Sequence, residues 1–414
     1  MHGKYTFVKF SSFWFAPWTL VFVLVLTIAS TKSNATDKAI STAASGVTEI
    51  TQIAPVLHRS EHESKQDHDC SLRAIAACFF RASLDATHPD GTLGFYASHP
   101  INTDNVRFNA ALIVIHGHSH DAAKTFDAAI AATTADRLTT TLVIAPLFQV
   151  SDTNATKCRS EEQQSALAND FVWTCASWME GGSSQNDPDL TSFKAIDQLV
   201  EKIIQRYPTI RSVTIAGFSA GAQTVQHYIG FSALNTKSYS VRYVIADPGT
   251  WLYFDDDRPQ PMIADRRVTW PECEVDGQTG FGKCTIQITA SSEMMSSCPT
   301  YNNWKYGIKD LPTVLLQQHT ANAARIAYQD ADITYLEAAL DSGSSKKASY
   351  KVLDKSCGAA LQGPFRLHRG LAYALYDQQK LRSPHHQMMK IVPDCGHDVS
   401  CVFPSESGRQ ALFH

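Results

Sequence analysis

The sequence predicts an α/β protein built on a doubly wound, mostly parallel sheet. Beyond residue 105, short apolar runs alternate with segments of helical periodicity. The runs are apolar at consecutive positions, as strands buried on both faces must be. One of them enters a glycine-flanked turn and leaves it as a helix, over residues 213–230. The 414 residues, 44% hydrophobic and 18% charged, can bury a sizeable core, which excludes whole-chain disorder, collagen and coiled coil. With 36 basic against 40 acidic side chains the formal charge is −4, so no nucleic-acid partner is expected.

Taken in order, the chain opens with Lys4 and Lys9, then an apolar stretch over 13–29, then small residues with possible cuts after Ala29 or Ala35. This is the layout of a signal peptide within residues 1–35, and it makes the protein secreted. The alternative is a membrane anchor through 13–29, although the run is short for a span and contains Pro17. A membrane partner follows only if that segment is uncleaved. Residues 36–66 are Ser-, Thr- and Ala-rich without a period and read as a flexible leader, placing the folded domain at 67–414.

Strands are expected at 111–115 (A-L-I-V-I), 141–145 (T-L-V-I-A, stopped by Pro146), 212–216, 241–246, 332–336 and 388–392. Helices are expected over 122–132 and from Phe193 through Ile204, the second closed by Pro208. Residues 251–310 interrupt the alternation with Trp251, Trp270, Trp304 and three cysteines. They read as a Cys/Trp-rich insertion, either a substrate-binding cap or a satellite core. Ten cysteines fit an oxidising compartment, and sequence proximity suggests pairs 70–78, 158–175, 273–284 and 395–401, leaving 298–357. No C-x-x-C occurs to suggest thiolate zinc. Asn154-Ala-Thr156 is a glycosylation acceptor motif.

The chemistry centres on Ser219, in the strand–turn–helix sequence V-T-I-A-G-F-S-A-G-A-Q-T-V-Q-H-Y-I-G. A serine at so sharp a turn has its hydroxyl pushed out above the sheet, and side chains two residues either way would collide, so Gly217 and Gly221 are needed. Gly230 is expected to terminate the helix. A serine hydroxyl is a weak nucleophile that needs a base, and the base needs an orienting acid. The base is expected after the last strand, where P-D-C-G-H-D places His397; His385 and His386 precede that strand and read as solvated. Asp341 follows the strand at 332–336, while Asp330 and Asp332 fall at its wrong end. Asp247, after the strand at 241–246, is the alternative acid. Strand order favours Asp341.

A tetrahedral oxyanion needs two backbone N–H donors. Ala220 is one candidate; the other falls in H-G-H-S-H-D, at Gly117 or, preferentially, His118. The same loop supports a competing reading, a metal-dependent hydrolase using His116, His118 and His120, but no matching ligand set follows downstream. No metal and no organic cofactor is therefore expected.

G-F-S-A-G, the His-Gly loop, Asp341 after a strand and C-G-H-D together resemble the α/β-hydrolase superfamily of serine hydrolases across most of residues 105–403. L-V-I-A-P-L-F (142–148), Y-N-N-W-K-Y-G (301–307) and L-Q-G-P-F-R-L-H-R-G (361–370) look like a group of secreted α/β hydrolases of poorly defined activity. Polyhydroxyalkanoate depolymerase-like and feruloyl esterase-like enzymes are similar in layout. The resemblance implies Ser219 as nucleophile, Asp341 as acid and His397 as base, and does not identify a substrate; the expected reaction is hydrolysis of an ester of a small molecule or polymer through an acyl-enzyme. The chain departs from the pattern in the long, Arg-bearing interval between Asp341 and His397, where Arg366 and Arg369 suit either an acidic substrate or packing. A non-catalytic binding protein on the same fold is the reading from another class.

Overall fold

The computed structural model describes residues 50–51, 69–84, 87–88, 90–101, 106–158, 164–234, 236–276 and 280–413. The expected signal or anchor segment and most of the 36–66 leader lie outside the described residues.

A nine-stranded sheet organises the chain. Its strands are β1 (Ile50–Thr51), β2 (Phe79–Ser83), β3 (Thr92–Ala97), β4 (Ala110–Ile115), β5 (Thr141–Leu147), β6 (Ser212–Phe218), β7 (Ser240–Ala246), β8 (Asp332–Ala338) and β9 (Lys390–Val392). The spatial order is β1-β2-β3-β5-β4-β6-β7-β8-β9. From β5 to β9 every neighbour is parallel, whereas β1, β2 and β3 add antiparallel strands at one edge.

Successive side chains of a strand face opposite sides of the sheet. Ile113, Ile115, Ile215, Ile245 and Tyr335 join one buried cluster, and Leu112, Val114, Ala216, Val244 and Leu336 join another. Both faces are therefore covered, which is why these strands are continuous apolar runs rather than alternating ones. The first cluster is closed by α2 (Ser192–Arg206) through Phe193, Ile196, Leu199, Val200 and Ile203, and by α3 (Ala220–Ile229) through Val225 and Tyr228. The second is closed by α1 (Ala122–Ala131) through Phe126 and Ala129, with Ala411 and Leu412 of the C-terminal helix. The Thr191 side chain caps α2 by accepting from Lys194 N–H, and Arg206 ends it just before Pro208.

One local expectation is corrected and one is met for a different reason. Pro146 does not stop β5, which runs on to Leu147 and pairs Pro146 with Phe95 of β3. The register with β4 has ended by then, at Ile113 and Ile144, so the missing N–H breaks no ladder bond on that side. Gly230 ends α3 with an ordinary right-handed φ of −69°. Its requirement is space: a Cβ there would stand 3.1 Å from Ala324 Cβ and 3.2 Å from Ala324 O. Within the proposed leader, β1 pairs with β2, Ile50 opposite Ala82.

Within 251–310, Arg258–Ile263 forms a small antiparallel sheet with Thr285–Thr289 and Arg266–Arg267. Trp251 stacks on Tyr373 of α4 (Arg366–Tyr376) at 4.3 Å, and the buried Arg258 guanidinium lies over the rings of Tyr253 and Tyr301 at 4.4 and 4.9 Å. Trp251, Ile286 and Ile288 belong to the same cluster as the central strands, so this segment extends the core.

All five cysteine pairs suggested by the sequence are disulfides. Cys395–Cys401, with a separation of 6, closes the loop that carries His397, and Cys298–Cys357, with a separation of 59, ties the insertion to the segment before α4. Because loop-closure entropy grows with the length enclosed, replacing Cys298 and Cys357 by alanine should cost about 4 kcal/mol, and replacing Cys395 and Cys401 about 2 kcal/mol. Urea denaturation of the two double variants checks the order; equal losses would refute it.

Candidate active site

The turn between β6 and α3 holds Ser219 at φ 58°, ψ −118°, a conformation costing about 1–3 kcal/mol for a non-glycine residue. The surroundings enforce it. A Cβ on Gly217 would lie 2.1 Å from Gly221 O, and one on Gly221 would lie 2.2 Å from Ile115 O and 2.6 Å from His116 O. The bend is thus backbone packed on backbone, and Gly221 seats it against the end of β4. Ser219 N–H donates to Ala246 O at 3.0 Å, fastening the turn to β7 as well.

Ser219 Oγ and His397 Nε2 are 2.8 Å apart. His397 reaches this position from a loop fixed by the Cys395–Cys401 disulfide and by donation of its own N–H to Lys347 O at 2.8 Å. Its ring packs on Phe218 at 4.8 Å. On its far side, Nδ1 lies 2.8 Å from Asp341 Oδ2 and 3.5 Å from Asp247 Oδ2. It forms a well-aligned hydrogen bond with neither. Both acids considered from the sequence therefore arrive at one imidazole, with Asp341 nearer.

Electrostatics follow from this burial. Burial and the Arg366 charge work to lower the His397 pKa, but the contacts with Asp247 and Asp341 outweigh them and hold it above the ordinary histidine value. Burial and the neighbouring Asp247 charge raise Asp341 against the pull of His397 and Arg366. Burial works to raise Asp247 too, yet the close His397 and Glu337 side chains and the hydrogen bond from Ala338 N–H keep it low.

The candidate oxyanion donors divide. Ala220 opens α3, so its N–H has no intrahelical partner and points out of the helix start. Gly117 N–H is already committed to Asp121 Oδ1 at 3.1 Å, so it does not serve. The His118 N–H has no partner among the described residues. Gly117 matters instead for proximity, since a Cβ there would stand 3.8 Å from Ser219 Cβ.

The three histidines of that loop do not converge on a common point. His116 is buried, accepts from Phe148 N–H through Nε2 at 3.2 Å, and so donates through Nδ1 to Gly117 O at 2.8 Å. His120, at φ 55°, is buried with Nδ1 2.6 Å from Phe148 O, while His118 is exposed. Burial lowers His116 to about 4 and His120 to about 3. Both serve as neutral braces between the loop and Phe148, the residue after β5, rather than as ligands.

No family model matches the chain, and no curated protein matches it by sequence. Among solved structures it resembles poly(aspartic acid) hydrolase-1 from Sphingomonas sp. KT-1, with a TM-score of 0.50 and 17% identity over 81% of this chain and 98% of the other. A poly(3-hydroxybutyrate) depolymerase from Bordetella parapertussis aligns with a TM-score of 0.47 and 16% identity over 82% and 91%. The chain has the α/β-hydrolase fold. In the α/β-hydrolase fold the strand ends carrying Ser219, Asp247 and Asp341 point to one side, where such sheets bind ligands.

The structure also revises readings outside this cluster. Arg366 and Arg369 are buried and spent on protein partners, Arg366 on Asp341 and Ala348 O, Arg369 on Gly363, Gly249 and Asp354 carbonyls. Neither is available to an acidic substrate. His386 is not solvated: its side chain is buried, with Nδ1 2.7 Å from Asp377 and Nε2 2.9 Å from Tyr328 O. Glu337, fully buried beside Asp247, was missed; its only sequence signal is a carboxylate inside the apolar strand T-Y-L-E-A.

The His397 imidazole should titrate above the ordinary histidine range. In Asp341→Asn, loss of the nearer carboxylate should lower its pKa. Histidine NMR titration reads both; no movement in the variant would show that Asp341 does not support the ring.

Proposed function

We propose that the protein is a secreted serine hydrolase that cleaves a carboxylic ester through an acyl-enzyme at Ser219. The observation that carries this reading is the 2.8 Å contact between His397 Nε2 and the hydroxyl of a serine in strained backbone at the head of α3. As Ser219 Oγ attacks the ester carbonyl, His397 takes its proton, and the developing oxyanion is met by the N–H groups of Ala220 and His118. Asp341 orients the ring and stabilises its positive charge. His397 then protonates the departing alkoxide. In the second half it removes a proton from water, which attacks the acyl carbonyl; the proton returns to Ser219 Oγ and the acid leaves. The substrate is an ester-bearing small molecule or polymer.

Five disulfides support an extracellular destination. Among the described residues no helix is long and apolar enough to cross a membrane.

Release of p-nitrophenol from esters of graded acyl length tests the reading. Ser219→Ala should lower turnover on the order of 10⁴-fold or more with the fold retained by circular dichroism. An unchanged rate would remove Ser219 from the chemistry, and loss of activity on chelation would favour the metal reading. The pH profile carries a sign of its own. Only neutral His397 can accept the serine proton, so kcat/KM should fall as pH drops through its raised pKa, with an acidic midpoint above 6.5. A midpoint below that value would contradict the proposed environment.

A further inference from the structure

The carboxylate of Glu337 is out of place by every ordinary rule. It lies at the penultimate position of β8, with no exposure to solvent. α4 presses on it so closely that a Cβ on Gly370 would meet Glu337 Oε1 at 2.2 Å. Among the described residues neither of its oxygens receives a hydrogen bond from an N–H or hydroxyl donor. Its neighbour is another carboxyl group, that of Asp247: Leu336 pairs with Ala246 in the parallel register, which sets Glu337 beside Asp247, and Asp247 Oδ2 likewise receives no hydrogen bond among the described residues. Two carboxylates cannot bond to each other without a proton between them.

The position of that proton follows from the other donors. Asp247 is bracketed by β8: its N–H donates to Leu336 O at 2.9 Å, and its Oδ1 accepts from Ala338 N–H at 3.0 Å. Its Oδ2 faces His397 Nδ1 at 3.5 Å. Asp341 has His397 at 2.8 Å and Arg366 at 3.3 Å. Each aspartate thus has donors that favour its charge, and Glu337 has none. With all three acids ionised, a buried site would hold three negative charges against Arg366, the more distant Arg369 and whatever charge His397 carries, which is not tenable in a dry interior.

We propose that Glu337 is a neutral carboxylic acid at physiological pH and donates its proton to Asp247, keeping Asp247 charged as a second carboxylate behind His397. Glu337 is then a positioning residue, acting through Asp247, and the His397 ring N–H faces a pair of acids. This placement agrees with an Nδ1 that is well aligned on neither of them. The inference rests on the reading of His397 as the base only for its kinetic consequences; the protonation state stands apart from it.

Infrared difference spectroscopy on the full protein tests the protonation state directly. At neutral pH the wild type should show the carbonyl stretch of a protonated, solvent-shielded carboxyl group, and Glu337→Gln should abolish it. Absence of the band, or its survival in that variant, overturns the proposal. The kinetic arm uses the same variants. Glu337→Leu leaves Asp247 without its donor and should lower kcat roughly tenfold, about the worth of one hydrogen bond to a charged group, with KM little changed. Glu337→Gln restores a neutral donor and should recover that loss, with the acidic midpoint of the pH profile at the wild-type position. A midpoint displaced to lower pH in Glu337→Gln would mean that a charge had been removed, and would overturn the proposal even if the band were ambiguous. If no ester is turned over at all, the infrared band still decides the state of Glu337, so failure of the proposed activity and failure of this inference are separable.

Discussion

The close approach of the Gly217–Gly221 bend to the end of β4 is the constraint on which the rest depends. With hydrogen atoms in place of side chains, the backbone of Gly221 lies against the carbonyls of Ile115 and His116. This single contact sets the height of Ser219 above the sheet and fixes its distance from the loop that follows β4. It also explains why that loop begins with a buried, neutral histidine. His116 bridges Gly117 O and Phe148 N–H, so the segment presenting the His118 N–H is held from the strand side as well. Strain at Ser219 is sustained because three parallel strands, β4, β6 and β7, all grip the turn.

A second constraint is charge. An imidazole that is to become positive in a buried site requires fixed negative partners, and those partners must themselves be kept charged. Asp247 directly follows β7 and Asp341 lies in the turn just past β8, and the parallel register of the two strands brings both to the same nitrogen. Arg366 holds Asp341 from below, itself donating to Ala348 O at 2.8 Å. The segment between Asp341 and His397 thereby acquires a purpose: it supplies the guanidinium and the Lys347 carbonyl that hold Asp341 and the His397 loop.

Much of this architecture was legible because both faces of the parallel sheet are buried. The runs at 111–115 and 212–216 have no polar position to blur them, and the G-F-S-A-G bend between strand and helix is written in local steric terms. The structure brings Ser219, His397 and Asp341 together. Less visible were β2 and β3, where Arg81 and Gly94 interrupt the apolar runs. Arg81 is buried only because Asp170 pairs with it from 89 residues away, and Gly94 only makes room for the Phe79 ring. The same holds for His386, Arg369 and Glu337: a polar side chain can be buried when a partner distant in sequence satisfies it, and spacing does not record such partners. The choice between two acids was open for a related reason, since the distance between neighbouring strand ends depends on register.

The central claim is that Ser219 is an activated nucleophile because His397 is within proton-transfer distance and the bend exposes its hydroxyl. Mass spectrometry of the protein treated with a fluorophosphonate probe addresses it without knowledge of the substrate. A single covalent adduct is expected on the peptide containing Ser219, formed in the wild type and lost in His397→Ala. An unlabelled, folded wild type, or labelling that persists without the histidine, would contradict it.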